Sequence, residues 1–156
     1  MPLLKDGRVV ADGLIEIDGE QPLPSAEAIL VSLTRWKEDR AKLLARNIRL
    51  GVKLAGDDPA EAIAGDLARI DLIAIEFLKF TDGRGYSTAR ILRERYGFKG
   101  EIRAVGNVLR DQLAFMARCG FDAVQLNSDA SERDWRDALG EISGQYQPLV
   151  DDGQSP

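Results

Sequence analysis

The stretch DLIAIEFLKFTDGRGYSTARILRERYGFKGEIRAVG, residues 71–106, decides the fold class of this chain. It opens with an apolar run, DLIAIEFL at residues 71–78, which is typical of a buried strand. The loop KFTDGRGYS at residues 79–87 then leads into a segment whose apolar residues recur at helical spacing. A second strand-like run, GEIRAVG at residues 100–106, follows that segment. A strand, a helix and a strand in this order predict a βαβ unit with two parallel strands.

The same alternation of strand-like and helix-like segments extends on both sides. AILVSLTRW at residues 28–36 and IRLGVKLA at residues 48–55 precede this unit, and FDAVQL at residues 121–126 follows it. Five strands, each followed by a helix, predict an α/β fold of about five successive βα units in a mainly parallel sheet. We expect an open three-layer sheet with helices on both faces. A complete eight-stranded barrel needs about 250 residues, so the alternative is a partial TIM-like barrel.

Several polar residues interrupt these apolar strands. Strands that helices cover on both faces are nearly all apolar. These residues therefore either reach water at strand ends or line a cavity, and the second arrangement keeps the partial barrel open as an alternative. The residues concerned are Arg35, Arg49, Lys53, Glu76, Arg103 and Gln125.

A short N-terminal β-hairpin is predicted before the repeating units. In GRVVADGLIEIDGE two β-favouring runs flank Asp12-Gly13, and Asp-Gly between such runs is a hairpin signal. We therefore expect a hairpin and linker over residues 1–24, a single α/β domain over residues 25–146 and a flexible tail over residues 147–156.

Composition excludes several classes of protein. The chain has 156 residues, of which 44% are hydrophobic and 30% charged, as in ordinary soluble domains. It has no membrane-length apolar run and no signal segment, so we expect a cytoplasmic protein that does not enter a membrane. The absence of histidine excludes Ser-His-Asp and Cys-His catalysis. With Cys119 as its one cysteine, the chain provides no metal site of the usual zinc or iron–sulfur kinds. A net charge of −5 argues against a general nucleic-acid binder.

The loop KFTDGRGYS predicts an anion-binding site. Ligands of parallel α/β folds bind beyond the carboxyl ends of the strands, where helix N-termini direct free N–H groups into a common space. Gly85 permits close approach of a ligand, Ser87 is expected to cap the next helix, and the Arg84 guanidinium can bind an anion through two N–H groups. The next junction, GNVLRDQ, repeats this layout. The ligand-binding candidates are Lys79, Arg84, Gly85, Tyr86, Ser87, Arg103, Asn107 and Arg110.

Two carboxylates are candidates for proton transfer: Glu76 near the end of a strand, and Asp82 within the loop. Asp82 has an alternative role, because it can pair with Arg84 and simply tighten the turn. The sequence contains no phosphate-loop or dinucleotide fingerprint, and therefore names no cofactor. If electrons pass through this protein, a bound flavin or a partner must carry them. We expect Cys119, late in its helix, to be buried and inert, and Gly120 to end that helix.

Residues 79–126 resemble a bacterial family known as domain of unknown function nine hundred and thirty-four. The resemblance rests on DGRGYS, ARILRERYGFKGEIRAVG, VLRDQL and RCGFD in this order, and weaker likeness begins at about residue 28. Leu78 stands where the family usually has proline, and Asn107 where it usually has aspartate. Members often carry a label that calls them oxidoreductases of sulfite reduction. The resemblance therefore implies a place in assimilatory sulfur metabolism, close to sulfite reductase.

Two functions are compatible with these features. One is an accessory protein or oxidoreductase-associated component of assimilatory sulfate and sulfite reduction, which docks on sulfite reductase or another enzyme of sulfate assimilation. Its docking surface is the segment Arg84–Arg110, which has seven basic and two acidic residues. The other is a small stand-alone enzyme that binds an oxyanion, a phosphate or a flavin at the same loops. If the sheet is a partial barrel, its open edges favour assembly into a homo-oligomer.

Overall fold

A computed structural model describes residues 3–5, 8–10, 13–17, 19–77, 83–108 and 112–125. Its strands are β1 Leu3–Lys5, β2 Arg8–Val10, β3 Ile15–Glu16, β4 Ala28–Ser32, β5 Arg49–Leu54, β6 Leu72–Phe77, β7 Glu101–Gly106 and β8 Ala123–Gln125. Its helices are α1 Leu33–Leu44, a 3₁₀ helix Ala60–Arg69, α2 Arg84–Arg90, which continues into a π-helical turn Ile91–Arg95, and α3 Leu113–Cys119. None of these helices has the length and apolar character needed to cross a membrane.

The described strands form one mixed, curled sheet in the order β2-β1-β8-β7-β6-β5-β4-β3. Neighbours from β3 to β8 pair in parallel, whereas β1 pairs antiparallel with both β2 and β8. Strands β3 to β8 follow chain order, so this part of the sheet has no point at which the order reverses, as a doubly wound sheet has. The predicted fold class, a mainly parallel sheet built of successive βα units, is wrong, because the sheet is mixed and has few helices.

The sheet is neither the open three-layer sheet nor the partial barrel that the sequence predicts. Alternate strand residues, such as Val52 and Ile102, pack with helix residues such as Trp36 and Leu92 in the main core. The opposite face has only a small apolar cluster to which no described helix contributes, made of Leu30, Leu72, Ala74 and Val105 with Leu14 against it. The described helices therefore cover one face, not two as in a three-layer sheet. A partial barrel of parallel strands is wrong because the antiparallel hairpin extends the sheet beyond β8.

The N-terminal hairpin forms earlier in the chain than predicted. Its strands are β1 and β2, with Lys5 opposite Arg8, so it precedes Asp12-Gly13 instead of flanking it. The sequence has an Asp-Gly pair before each of β2 and β3, and the local signal does not distinguish them. β3, which follows the second pair, joins β4 in parallel at the far side of the sheet.

Helix ends agree with the sequence only in part. Gly120 ends α3 as predicted, with φ +107° and its N–H directed to the carbonyls of the last turn. Ser87 does not cap α2, because this helix begins three residues earlier at Arg84 and Gly83 stands at its N-cap. The predicted last helix and the tail fall in residues 126–156, outside the described part of the chain.

Arg93 connects the π-helical turn to the segments that enter β7 and β8. Its Nη1 donates to the carbonyls of Phe98 at 2.7 Å and Gly100 at 2.8 Å. Its Nε and Nη2 donate to the Gly120 carbonyl at 3.1 and 3.0 Å, and Nη2 also donates to Asp122 at 2.5 Å. These contacts use all five N–H groups of the guanidinium. One side chain therefore donates to three backbone carbonyls from two separate segments of the chain.

We predict that Arg93→Ala lowers the free energy of unfolding by about 2 to 3 kcal/mol, because it removes the hydrogen bonds to these three carbonyls and the ion pair with Asp122. Arg95→Ala is the matched control, since Arg95 lies in the same turn and makes an exposed 3.6 Å ion pair with Glu61. Its cost is less than about 0.5 kcal/mol. Urea unfolding followed by circular dichroism measures both, and equal losses in the two variants would contradict this role for Arg93.

Candidate functional site

The loops that follow β6 and β7 begin side by side. Phe77, the last residue of β6, lies opposite Gly106 of β7, and the backbone N–H of Asn107 donates to the Phe77 carbonyl at 2.6 Å. Gly106 has φ +89°, and a Cβ at this position would lie 2.5 Å from the Phe77 carbonyl oxygen, so only glycine permits this approach. The chain therefore leaves β6 and β7 at neighbouring positions, at one end of the strands.

Several predicted ligand-binding residues are exposed near this end. Arg84 begins α2, Ser87 lies one turn further along it, and Asn107 follows β7; all three are exposed. Whether they share a ligand stays a prediction. Three other candidates lie outside the described residues: Lys79, Asp82 and Arg110.

Gly85 and Tyr86 turn toward the core instead of toward solvent. Gly85 is buried, and a Cβ there would lie 2.6 Å from the ring of Phe77, so the glycine allows α2 to pack closely on β6. The half-buried Tyr86 ring is 5.1 Å from that of Phe77, 4.8 Å from that of Phe115 and 6.4 Å from that of Phe121, measured between centroids. Packing alone therefore explains a small residue and an aromatic residue at these two positions.

The surroundings of Tyr86 keep its hydroxyl protonated. Burial raises the pKa of Tyr86, the nearby Cys119 raises it further, and a hydrogen bond with Gln112 acts in the opposite direction. A raised pKa disfavours Tyr86 as a proton donor at neutral pH, because donation produces the phenolate. Cys119 is buried, as predicted.

Charged side chains occupy alternate strand positions on the face of the sheet opposite the main core. Glu101 and Arg103 flank Ile102, whose side chain belongs to the main core, and successive strand residues point to opposite faces. We call this surface the charged face. Its charged members are Lys5, Glu16, Arg49, Lys53, Glu76, Glu101 and Arg103.

Glu101 is the centre of the larger ionic cluster on the charged face. Its Oε1 accepts from Lys5 Nζ at 2.8 Å and Arg49 Nη2 at 3.1 Å. Its Oε2 accepts from Arg103 Nε at 2.9 Å and Nη2 at 2.8 Å. Both Glu101 and Arg103 are buried. Arg103, predicted as a ligand-binding residue, thus has an acidic partner within its own strand.

Glu76 lies on the same face, one residue before the carboxyl end of β6. Its Oε2 is 3.7 Å from Lys53 Nζ, and Lys53 also donates to Glu16 Oε2 at 2.5 Å. Glu76 is half-buried and close to the junction loops, as a proton-transfer group must be; this role stays a prediction. Among the described residues, no cluster of three histidine, cysteine or acidic side chains is placed to hold a metal ion.

The basic segment Arg84–Arg110 is not a uniform surface. Arg93 is bound to backbone carbonyls, and Arg103 is buried against Glu101. Of the other basic residues that the structure describes there, Arg95 makes an exposed ion pair with Glu61, and Arg84, Arg90 and Lys99 are also exposed. A docking surface in this segment is thus smaller than the sequence suggests.

These features define a mixed α/β protein with one ionic sheet face and two glycine-containing loops at one end of its strands. The model of a family described as "Bacterial protein of unknown function (DUF934)" matches residues 51–156, which is more than half of the chain. The chain therefore belongs to this family, and the resemblance seen in the sequence is confirmed. The matched part begins within β5. No curated protein matches the chain.

We predict that Gly85→Ala lowers the free energy of unfolding by about 1 to 3 kcal/mol, because its methyl group would overlap the Phe77 ring. Gly83→Ala is the matched control in the same loop, since a Cβ there meets nothing within 4 Å. We expect it to cost less than about 1 kcal/mol. Urea denaturation compares the two, and an unchanged stability of Gly85→Ala would show that this glycine serves access and not packing.

Proposed function

We propose that the protein is an accessory component of assimilatory sulfate or sulfite reduction, which binds a small oxyanion at the loops after β6 and β7. The observation that carries the proposal is the hydrogen bond from Asn107 to Phe77, which joins the beginnings of the two loops. The carboxyl ends of parallel strands are the usual place for ligands in α/β proteins. We also propose that the protein is cytoplasmic.

An anion suits the groups at this end of the sheet. Arg84, Ser87 and Asn107 are exposed there and provide a guanidinium, a hydroxyl and an amide. A guanidinium binds two oxygens of an oxyanion through parallel N–H groups, and hydroxyl and amide groups donate to the others. Sulfite and sulfate have this geometry. The link to sulfite reduction itself comes from the resemblance of the sequence to its family.

An accessory role agrees with the types of side chain that the sequence contains. With one cysteine and no histidine, the sequence has no ligand set for an iron–sulfur cluster. Electron transfer through this protein would need a bound flavin or a partner such as sulfite reductase. Arg84, Arg90 and Lys99 give the surface positive charge for an acidic partner.

The position of Glu76 favours a second function, a stand-alone enzyme. This carboxylate lies at the same end of the strands as the two loops, 3.7 Å from Lys53. A carboxylate beside an oxyanion or flavin phosphate site is placed to move protons to and from a bound substrate. In this function a ligand that Arg84 binds on the helix side extends over the strand ends to Glu76, whose side chain lies on the charged face.

The oxyanion site is tested by calorimetric titration of the whole protein with sulfite and sulfate. We expect Arg84→Ala to weaken binding about tenfold or more, because it removes a charge-assisted contact. Arg90→Ala is the matched control, since Arg90 is also exposed and lies at the other end of α2. Binding that is equally strong in wild type and Arg84→Ala would remove the site.

The two functions are separated by affinity capture of the tagged protein at low and high salt. The accessory function predicts that sulfite reductase is retained at low salt and lost as salt screens the basic surface. The enzymatic function predicts instead a yellow protein with flavin absorbance and a bound mass in native mass spectrometry. A colourless protein that retains no reductase even at low salt would contradict both docking and flavin binding.

A further inference from the structure

An open cavity of about 480 Å³ lies at the amino ends of β6 and β7. Asp71, which directly precedes β6, and Gly100, which directly precedes β7, both line it. The cavity is therefore at the opposite end of these strands from the proposed oxyanion site. Its volume is in the range of small-molecule sites, about 300 to 1,000 Å³. The residues that line it include the apolar Leu67, Ile70 and Phe98 and the polar Asp71, Tyr96 and Lys99.

Residues 97–100, which form one wall of the cavity, are held in place by contacts within the protein. Arg93 Nη1 donates to the carbonyls of Phe98 and Gly100, and its guanidinium carbon lies 5.7 Å from the centroid of the Phe98 ring. A Cβ on Gly100 would lie 2.6 Å from the Asp71 carbonyl oxygen, so this glycine allows the wall to approach β6 closely. A wall that is fixed in advance lowers the entropy cost of binding a ligand.

The helix that leads into this wall has an unusual geometry. Arg93 belongs to the π-helical turn Ile91–Arg95, and Tyr96, the residue that follows this turn, lines the cavity. Single π-helical turns that continue an α-helix are rare and are frequent at functional sites. The turn is therefore a second observation, independent of the cavity itself, that indicates a ligand site here.

Three polar residues at the cavity have hydrogen-bonding groups to spare. Lys99 is exposed, and its ammonium group has no hydrogen-bond or ionic partner among the described residues. The hydroxyl of Tyr96 also lacks a partner within the described part of the chain. Asp71 accepts from the Leu50 N–H through Oδ2 at 2.9 Å, which leaves Oδ1 available to a ligand.

The charges at the cavity have both signs. A simple anion bound there would be close to the Asp71 carboxylate, and a simple cation would be close to the Lys99 ammonium group. A ligand that has one charge of each sign pairs with both residues and meets no like charge. Its positive group is further favoured by the carbonyls at the ends of two helices beside the cavity, the 3₁₀ helix Ala60–Arg69 and the π-helical turn.

We propose that this cavity binds a small zwitterion with an apolar body, of the α-amino acid class. Lys99 binds the carboxylate of the ligand, and Asp71 binds its ammonium group. The Tyr96 hydroxyl provides a further donor or acceptor. The apolar part of the ligand packs against Ile70 and Phe98.

The test is an NMR titration of the ¹⁵N-labelled full chain with L-phenylalanine and, separately, L-leucine, at constant pH and ionic strength. We expect saturable shifts of the backbone amides of Gly97, Lys99 and Gly100. We expect 3-phenylpropanoate, which lacks the ammonium group, and 2-phenylethylamine, which lacks the carboxylate, to bind about tenfold or more weakly than L-phenylalanine.

Two variants test the roles of the charged residues. We expect Lys99→Gln and Asp71→Asn each to weaken binding of L-phenylalanine about tenfold or more. Asparagine keeps an oxygen that can accept from the Leu50 N–H, and Lys99 makes no contact that the fold needs. Lys37→Gln is the matched control, since Lys37 is an exposed lysine on α1, and we expect it to change nothing.

The same titration separates this cavity from the oxyanion site, because Arg84→Ala leaves the response of Gly97, Lys99 and Gly100 intact. The inference is overturned if neither amino acid causes saturable shifts of these amides. It is also overturned if the two singly charged analogues bind as tightly as L-phenylalanine, or if Lys99→Gln binds it as tightly as the wild type.

Discussion

The contacts of one buried carboxylate, Glu101, hold the sheet together across its charged face. This carboxylate on β7 binds Lys5 on β1 and Arg49 on β5, each of which is two strands away in the sheet order. Neighbouring strands are about 4.8 Å apart, so only long side chains reach across an intervening strand. Without these cations and Arg103 the buried charge would cost several kcal/mol. The cluster thereby couples the hairpin to strands that come much later in the chain.

The sheet has two unlike faces, and the proposed ligand site lies at the ends of its strands. The described helices and the main core lie on one face, and the ionic groups lie on the other. Strands β3 to β8 follow each other in chain order, so this part of the sheet has no switch point, and the proposed oxyanion site lies instead at the carboxyl ends of its strands. Glu76 and the two glycine-containing loops lie at the carboxyl ends. Arg49 and Lys5 lie at the amino end of this central part.

The sequence predicts the parts of this structure that depend on local patterns. Apolar runs locate β4 to β8 to within a few residues, and Gly120 is recognisable as a helix end because only glycine readily adopts its φ. The position of the hairpin is not recognisable, because two Asp-Gly pairs give the same local signal. The number of covered faces is not recognisable either, because it depends on the order of the strands in the sheet: crossovers of one hand between strands in chain order place their helices on one face.

The sequence likewise predicts only those parts of the candidate site that depend on local patterns. Two consecutive parallel strands predict that their loops are neighbours, and β6 and β7 are indeed paired. The pairing of Glu101 with Arg103 is predictable from the sequence, since residues two apart on a strand share a face. The contact of Lys5 with Glu101 is not predictable, because it depends on the pairing of strands that are far apart in the sequence. The inward positions of Gly85 and Tyr86 depend equally on packing against Phe77.

The proposed role in sulfite reduction is tested most directly by growth of a strain that lacks this gene. Sulfate, sulfite, sulfide and cysteine are supplied in turn as the only source of sulfur. The proposal predicts that the strain fails on sulfate and sulfite, grows on sulfide and cysteine, and is restored by the wild-type gene but not by Arg84→Ala. Equal growth of the deletion strain on all four sources would contradict it.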